Sequence, residues 1–139
     1  MLQNSNRFLY RAYNRMQKMK MLHDGFWGRV DNSKKIYLYG AGKVAQRIIE
    51  LFCKKKIELV GCLVSGMAGN TATVLGVPVI EYGDAGLNGE DVLILLALKE
   101  ESQYDILQKL QLDGYMNVIP LDRELRESLE EASIFATYP

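Results

Sequence analysis

The spacing of apolar and polar positions changes period several times along the chain. Over residues 2–22, Leu9, Ala12, Tyr13, Met16, Met19 and Leu22 follow i, i+3, i+4, i+7 spacing, with Arg7, Arg11, Arg15 and Lys18 on the other side. That predicts a basic amphipathic helix whose Met-rich stripe packs on the domain or on a second copy of the chain. His23, next to Asp24-Gly25, reads as the helix exit. Phe26, Trp27 and Val30 read as an apolar patch in a connecting segment. The period then drops to that of a strand at Ile36-Tyr37-Leu38-Tyr39 and returns to helical over about 42–55. Lys54, Lys55 and Lys56 stand at that helix's carboxyl end, where cations are favourable. A second strand is expected over Ile57–Val64. A short strand, Val77-Pro78-Val79-Ile80, carries a proline that fits a sheet edge. Asn88-Gly89 reads as a turn. Asp91–Leu98 is the most apolar run and suits a strand buried on both faces of a parallel sheet. A helix of about 100–112 presents Tyr104, Leu107 and Leu110 on one side, with Gly114 as its stop. Asn117-Val118-Ile119 makes a short strand ending at Pro120. A last helix starts near Asp122 as its cap and runs through Leu125 and Leu129.

Strands alternating with helices predict an α/β protein: a single Rossmann-like three-layer domain behind an amphipathic N-terminal helix. Its parallel sheet of about five strands has the order 3-2-1-4-5, with right-handed crossovers. The expected organisation is a basic helix and linker over 1–33 and a Rossmann-like nucleotide-binding domain over 34–139. That order leaves Pro78 and Pro120 on the two sheet edges, where a missing N–H costs least.

Composition narrows the classes. The chain has 139 residues, 48% hydrophobic and 24% charged, which is one domain's worth of ordinary globular sequence able to bury a core. Cys53 and Cys62 are too few and wrongly spaced for a metal site or a disulfide framework, and read as buried thiols in a reducing compartment. No apolar run approaches the ~18 residues of a membrane span. The N-terminus lacks the apolar centre of a secretory signal, so a cytoplasmic location is expected. Net charge is zero, yet residues 1–35 hold eight Lys/Arg against Asp24 and Asp31, a net of +6, so the remainder carries −6. A membrane-surface role for the basic helix ranks below packing. Nucleic-acid binding is not expected, because the rest of the chain is acidic and shows no reader motif.

The candidate chemistry sits where the first strand meets the next helix. Gly40-Ala41-Gly42-Lys43-Val44-Ala45 reads G-x-G-x-x-A, a form of the dinucleotide-binding fingerprint. Gly40 permits the turn, Gly42 admits a phosphate close to the backbone, and Ala45 lets the helix press on its strand. No Ser, Thr, Asp or Asn caps this helix, so its first N–H groups suit an anion. Lys43 in the first turn opposes the macrodipole unless it shares the site with a negative ligand. Ser65 and Gly66 end the second strand near the expected ribose position, and Lys99 adds a charge at the same sheet edge. Residues 66–76 form a small-residue loop placed to close over a ligand. The acid that normally holds the ribose hydroxyls is absent, with Leu63-Val64-Ser65 in its place. That argues against ordinary NAD or NADP use.

The segments KKIYLYGAGKVAQRI, IELVGCLVSGMAGNTATVLGVPVIEYGD and EDVLILLALKEESQYDILQKLQLDGYMNVIPL resemble a small Rossmann-like module of bacterial cell-surface polysaccharide biosynthesis. The module is similar to the nucleotide-sugar-binding N-terminal domain of bacterial sugar O-acyltransferases. It also resembles epimerase-like modules attached to some glycosyltransferases and methyltransferases. The likeness covers about residues 34–121, with GAGKVA and GVPVI its most specific parts. It implies a nucleotide or nucleotide-sugar ligand and a glycosyltransferase or other polysaccharide-assembly enzyme as partner. The acyltransferases' Asp-rich segment and their left-handed β-helical catalytic domain have no counterpart here, so acyl transfer is not implied.

The preferred expectation is therefore a binding module with no catalysis of its own, its phosphate held by Gly40, Ala41, Gly42, Lys43 and Val44, with Ser65, Gly66 and Lys99 nearby. The alternatives are an NAD(P)-dependent oxidoreductase or epimerase of nucleotide sugars, and an interaction domain that dimerises through the 2–22 helix. Tyr39 and Lys43 match the Tyr-x-x-x-Lys spacing of short-chain dehydrogenases, but Tyr39 ends a strand instead of sharing a helix face with Lys43. No Ser-His-Asp, paired-carboxylate or metal-ligand grouping is apparent, so no catalytic residue is assigned.

Overall fold

The computed structural model describes residues 2–87 and 91–137, with side chains described from Arg7 to Glu130 within those stretches. The expected Asn88-Gly89 turn lies outside the described residues. The chain divides into two units, residues 32–121 and a helical unit of 1–31 with 122–139.

The larger unit holds β1 (Lys35–Tyr39), α2 (Lys43–Lys54), β2 (Gly61–Val64), β3 (Thr73–Val74), β4 (Val77–Glu81), β5 (Val92–Leu96), α3 (Glu100–Leu112) and β6 (Val118–Pro120). They build an α/β fold consistent with the Rossmann-like expectation, around a mostly parallel sheet ordered β3-β4-β2-β1-β5-β6. The strand count and order differ from expectation by one element. Two residues of the 66–76 loop, Thr73 and Val74, pair antiparallel with β4 and make a sixth strand outside it. Pro78 is therefore not on the outermost strand. It is tolerated because the β4 register with β2 begins one residue later, at Cys62↔Val79. The expected second strand at 57–64 is shorter. Lys56 adopts a left-handed φ of 58° after the helix, and regular strand starts only at Gly61.

Alternation explains the core. Tyr37, Tyr39, Leu63, Val92, Ile94, Leu96 and Val118 share one face with Leu110 of α3. Ile36, Leu38, Cys62, Leu93 and Leu95, of opposite parity, are equally buried on the other face. A right-handed crossover puts α2 there, with Ala45, Ile48, Ile49 and Phe52 buried at helical spacing. β5 is buried throughout, as its unbroken apolar run requires. α3 ends where expected: Gly114 takes a φ of 96°, its N–H bonds Gln111 O at 3.1 Å and the Tyr115 N–H bonds Leu110 O at 3.0 Å. The expected apolar face of α3 needs correction at its start. Tyr104 is exposed, and the buried side chain in that turn is its neighbour Gln103.

The helical unit pairs α1 (Leu2–Asp31) with α4 (Arg123–Thr137). α1 runs nine residues beyond the expected helix and carries His23, Gly25 and Gly28 in its interior. Each glycine costs about 1 kcal/mol there. The buried residues Phe26, Trp27 and Val30 anchor these turns, with Phe26 and Trp27 edge-to-face at 4.9 Å. His23 is no exit; its Nδ1 bonds Asp24 at 3.1 Å. α4 is capped as the sequence requires, with Asp122 Oδ1 accepting from the Leu125 N–H at 2.8 Å, and Leu125 and Leu129 are buried. Lys18 pairs with Glu124 at 2.7 Å, and this hydrogen bond raises the lysine's pKa. The predicted stripe fares differently. Leu9, Tyr13 and Met16 are exposed, not packed.

Candidate functional site

The glycine turn lies between the carboxyl end of β1 and the start of α2. Gly40 is buried with a φ of 126°, and its N–H bonds Leu63 O at 2.8 Å. A Cβ added there would overlap the carbonyl oxygen of Ala97 and reach Leu98 Cδ2 at 3.0 Å. Ala97, the residue after β5, thus lies against the Gly40 backbone at the point where the strand order reverses. Dinucleotides enter at that reversal in open α/β sheets.

Gly42 is different. It is the exposed N-cap of α2, with no side-chain cap bond and nothing within 4 Å of an added Cβ. The first N–H groups of α2 therefore have no side-chain cap. Beside them lies a cleft of about 380 Å³ lined by Ala41, Gln46, Gly69, Asn70, Thr71, Thr73, Val74 and Leu75. Its described polar lining is amide and hydroxyl, without a charge. The Asn70 amide donates to Gly66 O at 2.9 Å, and Thr71 Oγ1 donates to Thr73 O at 2.7 Å, so the 66–75 loop is braced from within.

Of the residues singled out from sequence, Ala41 lines this cleft, and Gly42 stands at the adjacent helix start. Lys43 and Val44 occupy the first turn of α2, Lys43 exposed and Val44 half-buried, and neither lines the cleft. Ser65 is committed elsewhere, since its Oγ shares a 2.7 Å hydrogen bond with Tyr39 Oη. Gly66 is exposed after β2. Lys99 is the exposed N-cap residue of α3, at the end of β5 and away from the cleft lining.

Sequence reasoning missed Glu81, Thr73 and Gln46. Glu81 ends β4 in register with Val64, and its Oε1 lies 4.0 Å from an added Cβ on Gly66. A carboxylate thus stands one strand over from the end of β2, a placement that only the β2–β4 pairing reveals. Thr73 and Gln46, on the cleft wall, gave no signal in one sequence. Sequence reasoning also missed an aromatic cluster packed on the α3 face of the sheet. Tyr82 sits 5.9 Å from Tyr39 and 6.3 Å from Tyr115, under the Lys109 ammonium, and its hydroxyl donates to Asp113 Oδ2 at 2.6 Å. Burial first, and the Asp113 carboxylate next, hold this phenol protonated well above its ordinary range. It acts as a neutral donor, not as a base.

Among the described residues no group of three or more His, Cys, Asp or Glu is placed to hold a metal ion. The class that fold and site define is an α/β protein with an open helix N-terminus beside a neutral polar cleft. Compared with known proteins, the chain matches no family model and no curated sequence.

Proposed function

We propose that the chain is a binding module for a nucleotide or nucleotide-sugar, acting beside a glycosyltransferase or other polysaccharide-assembly enzyme and performing no chemistry itself. The observation that carries this reading is the uncapped start of α2 at Gly42, open to solvent next to the cleft. A phosphate there would accept from the free N–H groups and gain from the macrodipole, with Lys43 alongside. The Gln46, Asn70, Thr71 and Thr73 side chains offer neutral hydrogen-bonding groups suited to sugar hydroxyls. The missing acid after β2 weighs against a nicotinamide dinucleotide in its usual pose.

A nicotinamide-dependent oxidoreductase or epimerase is the second reading, favoured by Glu81, which would accept from ribose hydroxyls one strand away from the usual position. A thermal-shift and calorimetric panel of UDP, UDP-sugars, CDP-sugars, ADP, coenzyme A, NAD and NADP separates the two. A ligand at a hundredfold excess over Kd adds about 2.7 kcal/mol, several degrees for a chain of this size. The binding-module reading expects a shift from a nucleoside diphosphate or its sugar, lost in Gly42→Phe. Response to NAD alone moves the assignment to the second reading. Silence across the panel removes both.

A further inference from the structure

At about 100° per residue, Phe8, Leu9, Ala12, Tyr13, Met16 and Met19 share one arc of α1, which Phe26, Trp27 and Val30 continue toward the other end. At the Val30 end this arc is buried. At the Phe8 end it is open, with Phe8 71%, Leu9 63% and Met16 69% exposed. Phe8, Ala12, Met16 and Met19 form a shallow groove of about 400 Å³ with Arg11 and Arg15 on its border. Arg7 lies beyond them, and Lys20 stands at the opposite edge. No acidic residue occurs before Asp24.

We infer that this end of α1 is a docking face for an anionic lipid surface, lying along the interface and not through it. An apolar arc edged by arginines matches both layers of such a surface at once. Phe8, Leu9 and Met16 would enter the acyl boundary, while Tyr10 and Tyr13, also exposed, suit the headgroup level. Arginine stems lie along apolar surface while their guanidinium groups reach lipid phosphates. No helix among the described residues is long and apolar enough to cross a membrane, so the arc has a surface to lie on but none to span. A second copy of the chain is the competing occupant. An antiparallel two-fold contact through this arc would set the Arg7, Arg11 and Arg15 edge against its own copy, a parallel one would set it against the Lys20 edge, and neither meets an acid in that stretch.

The test floats the full chain with vesicles of phosphatidylcholine, alone or mixed with phosphatidylglycerol. Binding is expected only with phosphatidylglycerol present. It should weaken as salt rises from 0.1 M to 1 M and the screening length falls from ~10 Å to ~3 Å. Combining Arg7→Gln, Arg11→Gln and Arg15→Gln should lower the partition coefficient about 100-fold. Combining Leu9→Ser with Met16→Ser should lower it at least about tenfold. These positions are exposed, so circular dichroism and thermal midpoint should match the parent for both variants. Three results would each overturn the inference: no binding to anionic vesicles at low salt, unchanged binding by the arginine variant, or a lipid-free dimer that Leu9→Ser with Met16→Ser dissociates.

Discussion

The backbone of Gly40 lies directly against the carbonyl of Ala97, so close that even a methyl side chain would overlap that oxygen. The contact joins the turn after β1 to the residue after β5, where the β1–β5 ladder continues one residue past the strands. The peptide just before it is tied to β1, since the Ala97 N–H bonds Tyr39 O at 3.0 Å. The first glycine of the fingerprint therefore serves the chain's own packing, whereas Gly42, two residues on, is uncapped and unobstructed.

Gly40→Ala should accordingly destabilise the protein by about 3 kcal/mol, combining the overlap with the cost of a φ of 126° for a residue bearing a Cβ. A fall in thermal midpoint of about 10 °C is the expected reading. Gly61→Ala makes the comparison sharp. Its added Cβ would meet Ile80 Cδ1 at 2.8 Å, the free end of a flexible side chain, so a loss of only about 1 kcal/mol is expected. Equal losses at the two sites would show that the Ala97 contact is not what constrains Gly40.

Gly42→Asp should act in opposite directions on folding and binding. An aspartate at the N-cap accepts from the first free N–H groups and complements the macrodipole, adding about 0.5–1 kcal/mol to stability. Nothing in the surrounding structure obstructs it. The same carboxylate occupies the place proposed for a phosphate and repels it. A raised thermal midpoint together with loss of the nucleotide-induced shift is the expected pair. A variant that still responds to nucleotide places the ligand elsewhere.

The strands and helices that follow strict periodicity were legible in the sequence because their apolar spacing answers to burial directly. The five residues of β5, the Ala45/Ile48/Ile49/Phe52 face of α2, the Asp122 cap and the Gly114 stop all belong here. What was not legible depends on contacts between distant segments. Thr73-Val74 has no strand signal of its own and is ordered only by its pairing with Val77-Pro78. Glu81 carries no signal until β4 is set beside β2. The first helix runs past its expected end because Gly25 and Gly28, local breakers, are outweighed by burial of Phe26, Trp27 and Val30. Its stripe has the periodicity of a packed face without being packed, since spacing alone does not say what covers a helix.

Gln103 shows the same limit and leads to a third prediction. It looks like a surface residue of an exposed helix, yet it is buried, and its Nε2 donates to Leu121 O at 2.9 Å and to Leu98 O at 3.0 Å. One side chain thus ties the segment that closes over Gly40 to the end of β6. Gln103→Leu keeps the volume but leaves both carbonyls without this donor. A loss of about 2–4 kcal/mol in urea unfolding is expected, with an unchanged slope. Gln103→Glu should be at least as damaging, because a carboxylate offers acceptors to two acceptors. If Gln103→Leu unfolds at the parent's urea midpoint, the bridge contributes nothing.

The two thiols should part company in their chemistry. Cys53 is exposed on α2, whereas Cys62 is fully buried in β2, where burial pushes its thiol up to about 11. The thiolate is the species that alkylates, so at pH 8 iodoacetamide should modify the native chain once, at Cys53, and a second time only after unfolding. The same burial has a consequence for stability with a definite sign. Below the ordinary thiol value near 9 both states of the chain keep the proton, and pH has no effect through this group. Between about 9 and about 11 the unfolded chain ionises first, so stability falls as pH rises through that window. Tyr82, also held protonated by burial and by Asp113, contributes a fall of the same sign at high pH. Cys62→Ala should therefore flatten the alkaline decline of the thermal midpoint without abolishing it, at the cost of a lower midpoint at pH 7 from lost core volume. A parallel decline in parent and variant would show that Cys62 keeps no proton advantage in the folded state.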